Sequence, residues 1–232
     1  MIEYKDYKLK KKEKETELIY TLEFEPLDFQ VPLYSPGQFF MIKINNLETK
    51  PNFRPYSALL PYQKNKLAFG IKKHGIFSSA LVDLQIGQNV QIAGPYGQFL
   101  FDENVKYSIF LAGGIGITPF VCMLKNLENK IDEQKKAYLF YSNKTKQDIA
   151  YKNLLDEIAA NNPSIKIIYT LTQIFEDKFE KGRINIEMIQ KYSPQWKEAK
   201  YYLCGTKEFV LQLSKMLIEN NINPNNIKTE KW

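Results

Sequence analysis

Cysteine and histidine are nearly absent from this 232-residue chain: Cys122, Cys204 and His74 are all it has. So few thiol and imidazole ligands cannot supply a four-ligand zinc site or the cysteine set of an iron–sulfur cluster. No metal site is therefore expected, and a histidine-based catalytic triad would rest on His74 alone. No apolar run approaches the roughly 18 to 20 residues of a membrane-spanning helix, so no membrane span is expected. The opening Met1-Ile2-Glu3-Tyr4-Lys5 lacks the charged-then-apolar pattern of a secretory signal, and the expected setting is cytoplasmic. Charge of one sign is not concentrated either. Residues 1–101 carry 13 Lys/Arg against 10 Asp/Glu and residues 102–232 carry 19 against 16, so the net +6 divides as +3 and +3. This even spread argues against a nucleic-acid surface. The densest run, Lys8-Leu9-Lys10-Lys11-Lys12-Glu13-Lys14, reads as a solvated arm. A mildly basic surface suits steering of an acidic protein partner.

What the chain does have is apolar material. At 44% hydrophobic and 14% aromatic residues it can build one large core or two smaller ones. Up to about Phe101 the apolar residues fall in short alternating runs at 18–24, 39–44, 67–72 and 90–93. Ser35-Pro36-Gly37, Lys50-Pro51-Asn52, Ile86-Gly87 and Gly94-Pro95-Tyr96-Gly97 break them. Period-two runs between turn residues predict a small antiparallel barrel or sandwich, with one short helix over 77–83. From Tyr107 the pattern changes. Strand-like runs at 107–112, 137–141, 165–171 and 201–204 alternate with helical stretches at 119–128, 146–160, 185–190 and 207–220, and a short strand at 226–230 follows. That alternation predicts a parallel sheet covered by helices. The expected fold is therefore two-domain: an N-terminal antiparallel β-barrel over 1–101, then a Rossmann-like α/β domain over 102–232.

The segment Leu111-Ala112-Gly113-Gly114-Ile115-Gly116-Ile117-Thr118-Pro119 is the strongest chemical signal. A greasy strand feeds a glycine turn that opens a helix, and such a turn aims backbone N–H groups at an approaching anion. Gly113, Gly114 and Gly116 carry no side chain to obstruct a pyrophosphate, and proline suits the first helical turn. The expectation is a dinucleotide, although the spacing is neither the G-x-G-x-x-G nor the Walker A pattern.

Five motifs then appear in order: Arg54-Pro55-Tyr56-Ser57, Gly75-Ile76-Phe77-Ser78, Gly94-Pro95-Tyr96-Gly97-Gln98-Phe99, the glycine turn, and Cys204-Gly205. In that order and at those intervals the chain resembles the ferredoxin–NADP⁺ reductase family of flavoenzymes, from Pro36 to Trp232. The resemblance implies FAD in the first domain and NADPH or NADH in the second. It implies that Arg54 pairs with the FAD pyrophosphate, for which a guanidinium fork is suited. Tyr56 would stack on the flavin and Ser57 would hydrogen-bond near its N5. Gly75 and Ser78 match the second phosphate-binding turn; on the residues alone, Tyr56 could equally be a half-buried strand aromatic and Ser78 a helix cap. Gly94-Pro95-Tyr96-Gly97 marks the domain boundary.

The same resemblance makes Trp232 an aromatic lid over the flavin face and places Glu230 near the nicotinamide with Ser57 and Cys204. Cys204 follows an apolar strand, at the end where open α/β sheets bind ligands, and its implied role is positioning without covalent chemistry. Thr118 approaches the same pocket, while Cys122 reads as helix packing. Lys144 and Lys146, after the second parallel strand, lean towards the 2′-phosphate of NADPH. The implied reaction passes hydride from NAD(P)H to FAD and electrons onward to an acidic acceptor protein, such as a ferredoxin, a flavodoxin or an oxygenase component. The competing expectation is a reductase fold kept as a catalytically silent scaffold or assembly subunit.

Overall fold

The lysine-rich run near the amino terminus is a strand. In β1 (Lys5–Lys14), Tyr7 and Leu9 face inward and are buried while the lysines around them face out, the alternation of a half-buried strand. A register shift between Leu9 and Lys11 then turns Lys12 towards helix α1 (Ile76–Asp83). Its Nζ donates to the carbonyls of Val82 and Leu84 at 2.8 and 2.9 Å. A cation there satisfies orphan carbonyls at the negative end of the helix dipole. Charge pattern alone cannot separate such a lysine from a solvated one.

The computed structural model describes residues 3–45, 47, 51–128, 130, 134–174 and 176–231. The chain divides into two compact units between Phe101 and Asp102. In the first, β1 is joined by β2 (Ile19–Pro26), β3 (Phe39–Lys43), β4 (Phe53–Ser57), β5 (Leu67–Lys72) and β6 (Asn89–Tyr96). The sheet order is β4-β3-β6-β1-β2-β5 with every pair antiparallel. Just beyond β4, Ala58 bridges Phe69 of β5, which joins the two edge strands and closes the barrel. Leu22, Phe24, Phe40, Ile42, Phe69 and Leu81 fill its core.

The second unit runs β7 (Tyr107–Gly113), a 3₁₀ turn (Gly114–Ile117), α2 (Thr118–Leu127), β8 (Lys136–Asn143), α3 (Lys152–Asn161), β9 (Ile165–Leu171), β10 (Glu180–Lys181), α4 (Ile186–Tyr192), β11 (Lys200–Gly205), α5 (Lys207–Glu219) and β12 (Ile227–Lys231). All strands are parallel, in the order β10-β9-β8-β7-β11-β12. The central strands are buried nearly throughout, as both faces of a covered parallel sheet require. The chain leaves β7 in one direction and returns to β11 on its other side. The crevice between those two strands is thus the topological switch point. One expected helix is broken in two. Over 146–160 a 3₁₀ turn (Lys146–Asp148) is closed by Thr145 and Asp148 capping each other, and Tyr151 takes a left-handed φ of 60° before α3 begins.

Candidate functional site

In the first unit, the motif containing Arg54 lies on β4. Arg54 and Tyr56, two residues apart, share a face opposite Ile42 and Phe40, while Ser57 lies across from Phe39 on the alternate face. Arg54 Nη1 donates to the Pro51 and Phe53 carbonyls at 2.6 and 2.7 Å, which fixes the plane of the fork. The guanidinium stands 5.4 Å from the ring centroid of Phe77, in the first turn of α1. That turn has no side-chain cap and no acidic residue. Gly75 precedes it at φ +82°, a left-handed value that favours glycine, with open space where a Cβ would point. An uncapped helix N-terminus with an arginine over it fits an anionic pyrophosphate. Ser78 is buried: its Oγ accepts from the His74 N–H and donates to the His74 carbonyl, both at 2.7 Å, so it braces this turn. Burial pushes the Tyr56 hydroxyl up to about 12, against the pull of Arg54, and the ring stays neutral for stacking.

In the second unit the C-terminal strand ends converge. Gly113 pairs in register with Ser142, and Cys204 with Ala112 on one side and Glu230 on the other. The glycines of the turn divide by role. A Cβ on Gly113 would meet the Phe209 ring at 3.1 Å, and one on Gly116 would lie 2.4 Å from the Cys204 carbonyl oxygen. Packing against fixed backbone demands glycine at Gly116, while at Gly113 the Phe209 ring would have to shift by a few tenths of an ångström. Gly114, at φ +52°, has nothing within 4 Å and is the position that faces open space. Thr118 is buried and its hydroxyl donates to the Ile115 carbonyl at 2.9 Å.

Cys204 is only 2% exposed. Burial, with the Glu230 carboxyl adding to it, pushes its thiol well above the ordinary range, so it stays protonated and is no nucleophile. Glu230 has a buried Oε2 without a hydrogen-bond partner among the described residues, and burial raises its pKa to about 7. A carboxyl near 4.5 in the unfolded chain and near 7 in the fold binds its proton more tightly when folded. The stability it contributes is fully present below pH 4.5 and is lost as pH rises through 7. Glu230→Gln is therefore expected to match the natural protein in urea denaturation at pH 4.5 and to exceed it by roughly 3 kcal/mol at pH 8. An equal difference at both pH values would show that the carboxyl is not perturbed. Ser57 belongs to the first unit and Trp232 lies outside the described residues.

Lys146 is ion-paired with Glu176 at 3.2 Å, and Lys144 is exposed beyond the end of β8. Neither lines the cavity of about 280 Å³ at this edge, which Ser142, Thr172, Arg183, Thr206, Phe209 and Gln212 help to form. Arg183 was not singled out by the sequence. It follows Gly182, at φ +90°, whose N–H donates to the Leu171 carbonyl at 2.7 Å and whose carbonyl accepts from Thr170 Oγ1 at 2.5 Å. The turn hangs Arg183 beside the end of β9. Its rarity was the available signal: of 32 cationic residues only Arg54 and Arg183 are arginine. Among the described residues no cluster of three or more His, Cys, Asp or Glu could hold a metal, and no helix is long and apolar enough to cross a membrane.

Residues 6–101 match the family described as "Oxidoreductase FAD-binding domain", and residues 110–215 that described as "Oxidoreductase NAD-binding domain". The chain is 28% identical to a flavohemoprotein of Bacillus subtilis over 238 residues, covering 98% of this chain and 59% of that protein. It is 33% identical to NADH-cytochrome b5 reductase 2 of Meyerozyma guilliermondii over 175 residues, 72% of this chain and 58% of that one. The chain thus spans about three fifths of the length of these curated relatives. Among solved structures it is similar to the flavohem-like FAD/NAD-binding domain of nitric oxide dioxygenase from Vibrio cholerae, with a TM-score of 0.88 at 17% identity and 98% of each chain covered. A ferredoxin NADP⁺ reductase from Neisseria gonorrhoeae, with bound FAD and NADP, gives 0.78 at 18% identity, again over 98% of each chain. These likenesses show the two-domain fold.

Proposed function

We propose that this chain, which belongs to the ferredoxin–NADP⁺ reductase-like flavoprotein family, is an FAD-dependent NAD(P)H oxidoreductase that passes electrons to a protein acceptor. The observation that carries the reading is Arg54 standing over the uncapped first turn of α1, an anion site with no anionic side chain of its own. When bound there, FAD supplies the chemistry that takes a hydride and releases single electrons. Arg54 and the amides after Gly75 hold its pyrophosphate, Ser78 braces that turn, Tyr56 offers a neutral ring face, and Ser57 donates near the reacting edge. In the second unit Gly114 leaves room for the nicotinamide dinucleotide's pyrophosphate, and the cavity beside Arg183 takes its adenosine end. Cys204 and Glu230, neighbours in register, position the nicotinamide by shape and by a carboxyl whose raised pKa lets it carry a proton near neutral pH. The protein's part is orientation and exclusion of water.

The names of the relatives favour a haem protein as acceptor over the ferredoxin, flavodoxin or oxygenase component suggested by the motifs alone. A net charge of +6 supports an acidic one. The purified chain is expected to be yellow, to hold FAD, and to bleach under anaerobic conditions on addition of NADPH or NADH. Reduction of cytochrome b5 or a globin should then follow, and slow with added salt. Colourless protein that takes up no FAD would leave the scaffold reading instead.

A further inference from the structure

Two opposite charges lie in the second unit's cavity without touching each other, and one neutral side chain connects them. Arg183 Nη1 donates to Gln212 Oε1 at 3.3 Å, and Gln212 Nε2 donates to Glu208 Oε1 at 2.9 Å. Glu208 and Gln212 are one turn apart on α5, and all three residues line the cavity. A guanidinium only donates and a carboxylate only accepts, so one amide orientation alone satisfies both neighbours. Among the described residues Arg183 has no ion pair, whereas Lys146 and Lys191 in the same unit each hold a glutamate. Its charge is therefore available, and Glu208 occupies a place in the first turn of α5, where a carboxylate is favoured by the helix dipole.

We propose that Gln212 is a specificity-determining residue for the dinucleotide: by standing between Arg183 and Glu208 it leaves the guanidinium free to take the 2′-phosphate of NADPH. This rests on the reading that the cavity receives the adenosine end. A ribose 2′-phosphate brings about two negative charges and fork-matching oxygens to Arg183, whereas a 2′-hydroxyl brings neither. Glu208 opposes the phosphate by like charge, and its distance from the ligand is set by the reach of Gln212. The natural protein thus takes NADPH in preference to NADH, and the amide at position 212 is where that preference is set.

Gln212→Glu puts a carboxylate on Arg183 without changing side-chain size. It is expected to lower kcat/KM for NADPH about tenfold, through KM, with NADH within twofold; tenfold is the order expected of one charge pair near 4 Å in a solvent-rich site. Calorimetry with 2′,5′-ADP and 5′-AMP on the full chain should show the same split without any redox step. Glu208→Gln should move the ratio the other way, severalfold towards NADPH, and both effects should shrink at 1 M salt. Equal losses for both dinucleotides in Gln212→Glu, an unchanged ratio, or failure of either fragment to bind while the dinucleotides still bleach the flavin would each overturn the proposal. If the fragments bind with the expected split but neither dinucleotide reduces the flavin, the proposal stands and the oxidoreductase reading falls.

Discussion

Arg54→Met is expected to weaken FAD binding about 100-fold, close to 2.7 kcal/mol, while the apoprotein keeps its fold. The loss follows from what the guanidinium does and does not hold. Its contacts within the protein are the carbonyls of Pro51 and Phe53, close in sequence, and the face of Phe77. Those carbonyls lie near the surface and water can replace the lost donor, so denaturation of the apoprotein should shift by about 1 kcal/mol or less. An anion at the first turn of α1 would lose the Arg54 counter-charge, and the helix amides supply only partial charges. Arg54→Lys should recover part of the affinity, because an ammonium is a point charge and cannot make the paired bonds of a fork. Flavin fluorescence quenching on titration into the apoprotein measures both variants. If Arg54→Met retains FAD at natural affinity, the pyrophosphate lies elsewhere and the assignment of Gly75 goes with it.

Order along the chain was legible where a residue's neighbours in sequence are also its neighbours in space. The alternating runs of the first unit, the helix after the glycine turn, and β9 all follow from local periodicity, and so does Cys204 at a strand end. What stayed hidden was set by contacts across long separations. Lys12 became a helix cap because a register shift carried it to carbonyls 70 and 72 residues away. Lys146 pairs with Glu176, 30 residues on, a contact that the charge pattern after β8 does not encode. Arg183 reaches the cavity only because β9, β8, β7 and β11 line up their ends, an order that no hydrophobic pattern encodes. The glycine turn was found for one reason and needed for two. The sequence suggested three glycines clearing space for phosphate, and two of them clear space for Phe209 and for β11.

That division makes Gly116→Ala and Gly114→Ala a paired experiment with opposite outcomes. At Gly116 a methyl group would sit 2.4 Å from the Cys204 carbonyl oxygen, 2.6 Å from its carbon and 2.8 Å from the Gly205 nitrogen. These are backbone atoms of β11, held in register by β7 on one side and β12 on the other, so relief requires moving a central strand. The expected cost is about 3 kcal/mol or more, at the severe end for overpacking in a core. Urea denaturation of the second unit should show it, together with loss of the Cys204–Glu230 pairing and of binding by either dinucleotide. At Gly114 the new methyl meets nothing, and the cost is the roughly 1–2 kcal/mol of a left-handed residue with a Cβ. Its effect should fall on the ligand: dinucleotide affinity drops about tenfold, about 1.4 kcal/mol, while the fold survives and FAD remains bound. A Gly114→Ala protein that binds NADPH unchanged would mean the pyrophosphate does not approach the turn, and Gly116→Ala of natural stability would mean β11 is free to shift where its two parallel neighbours say it is held.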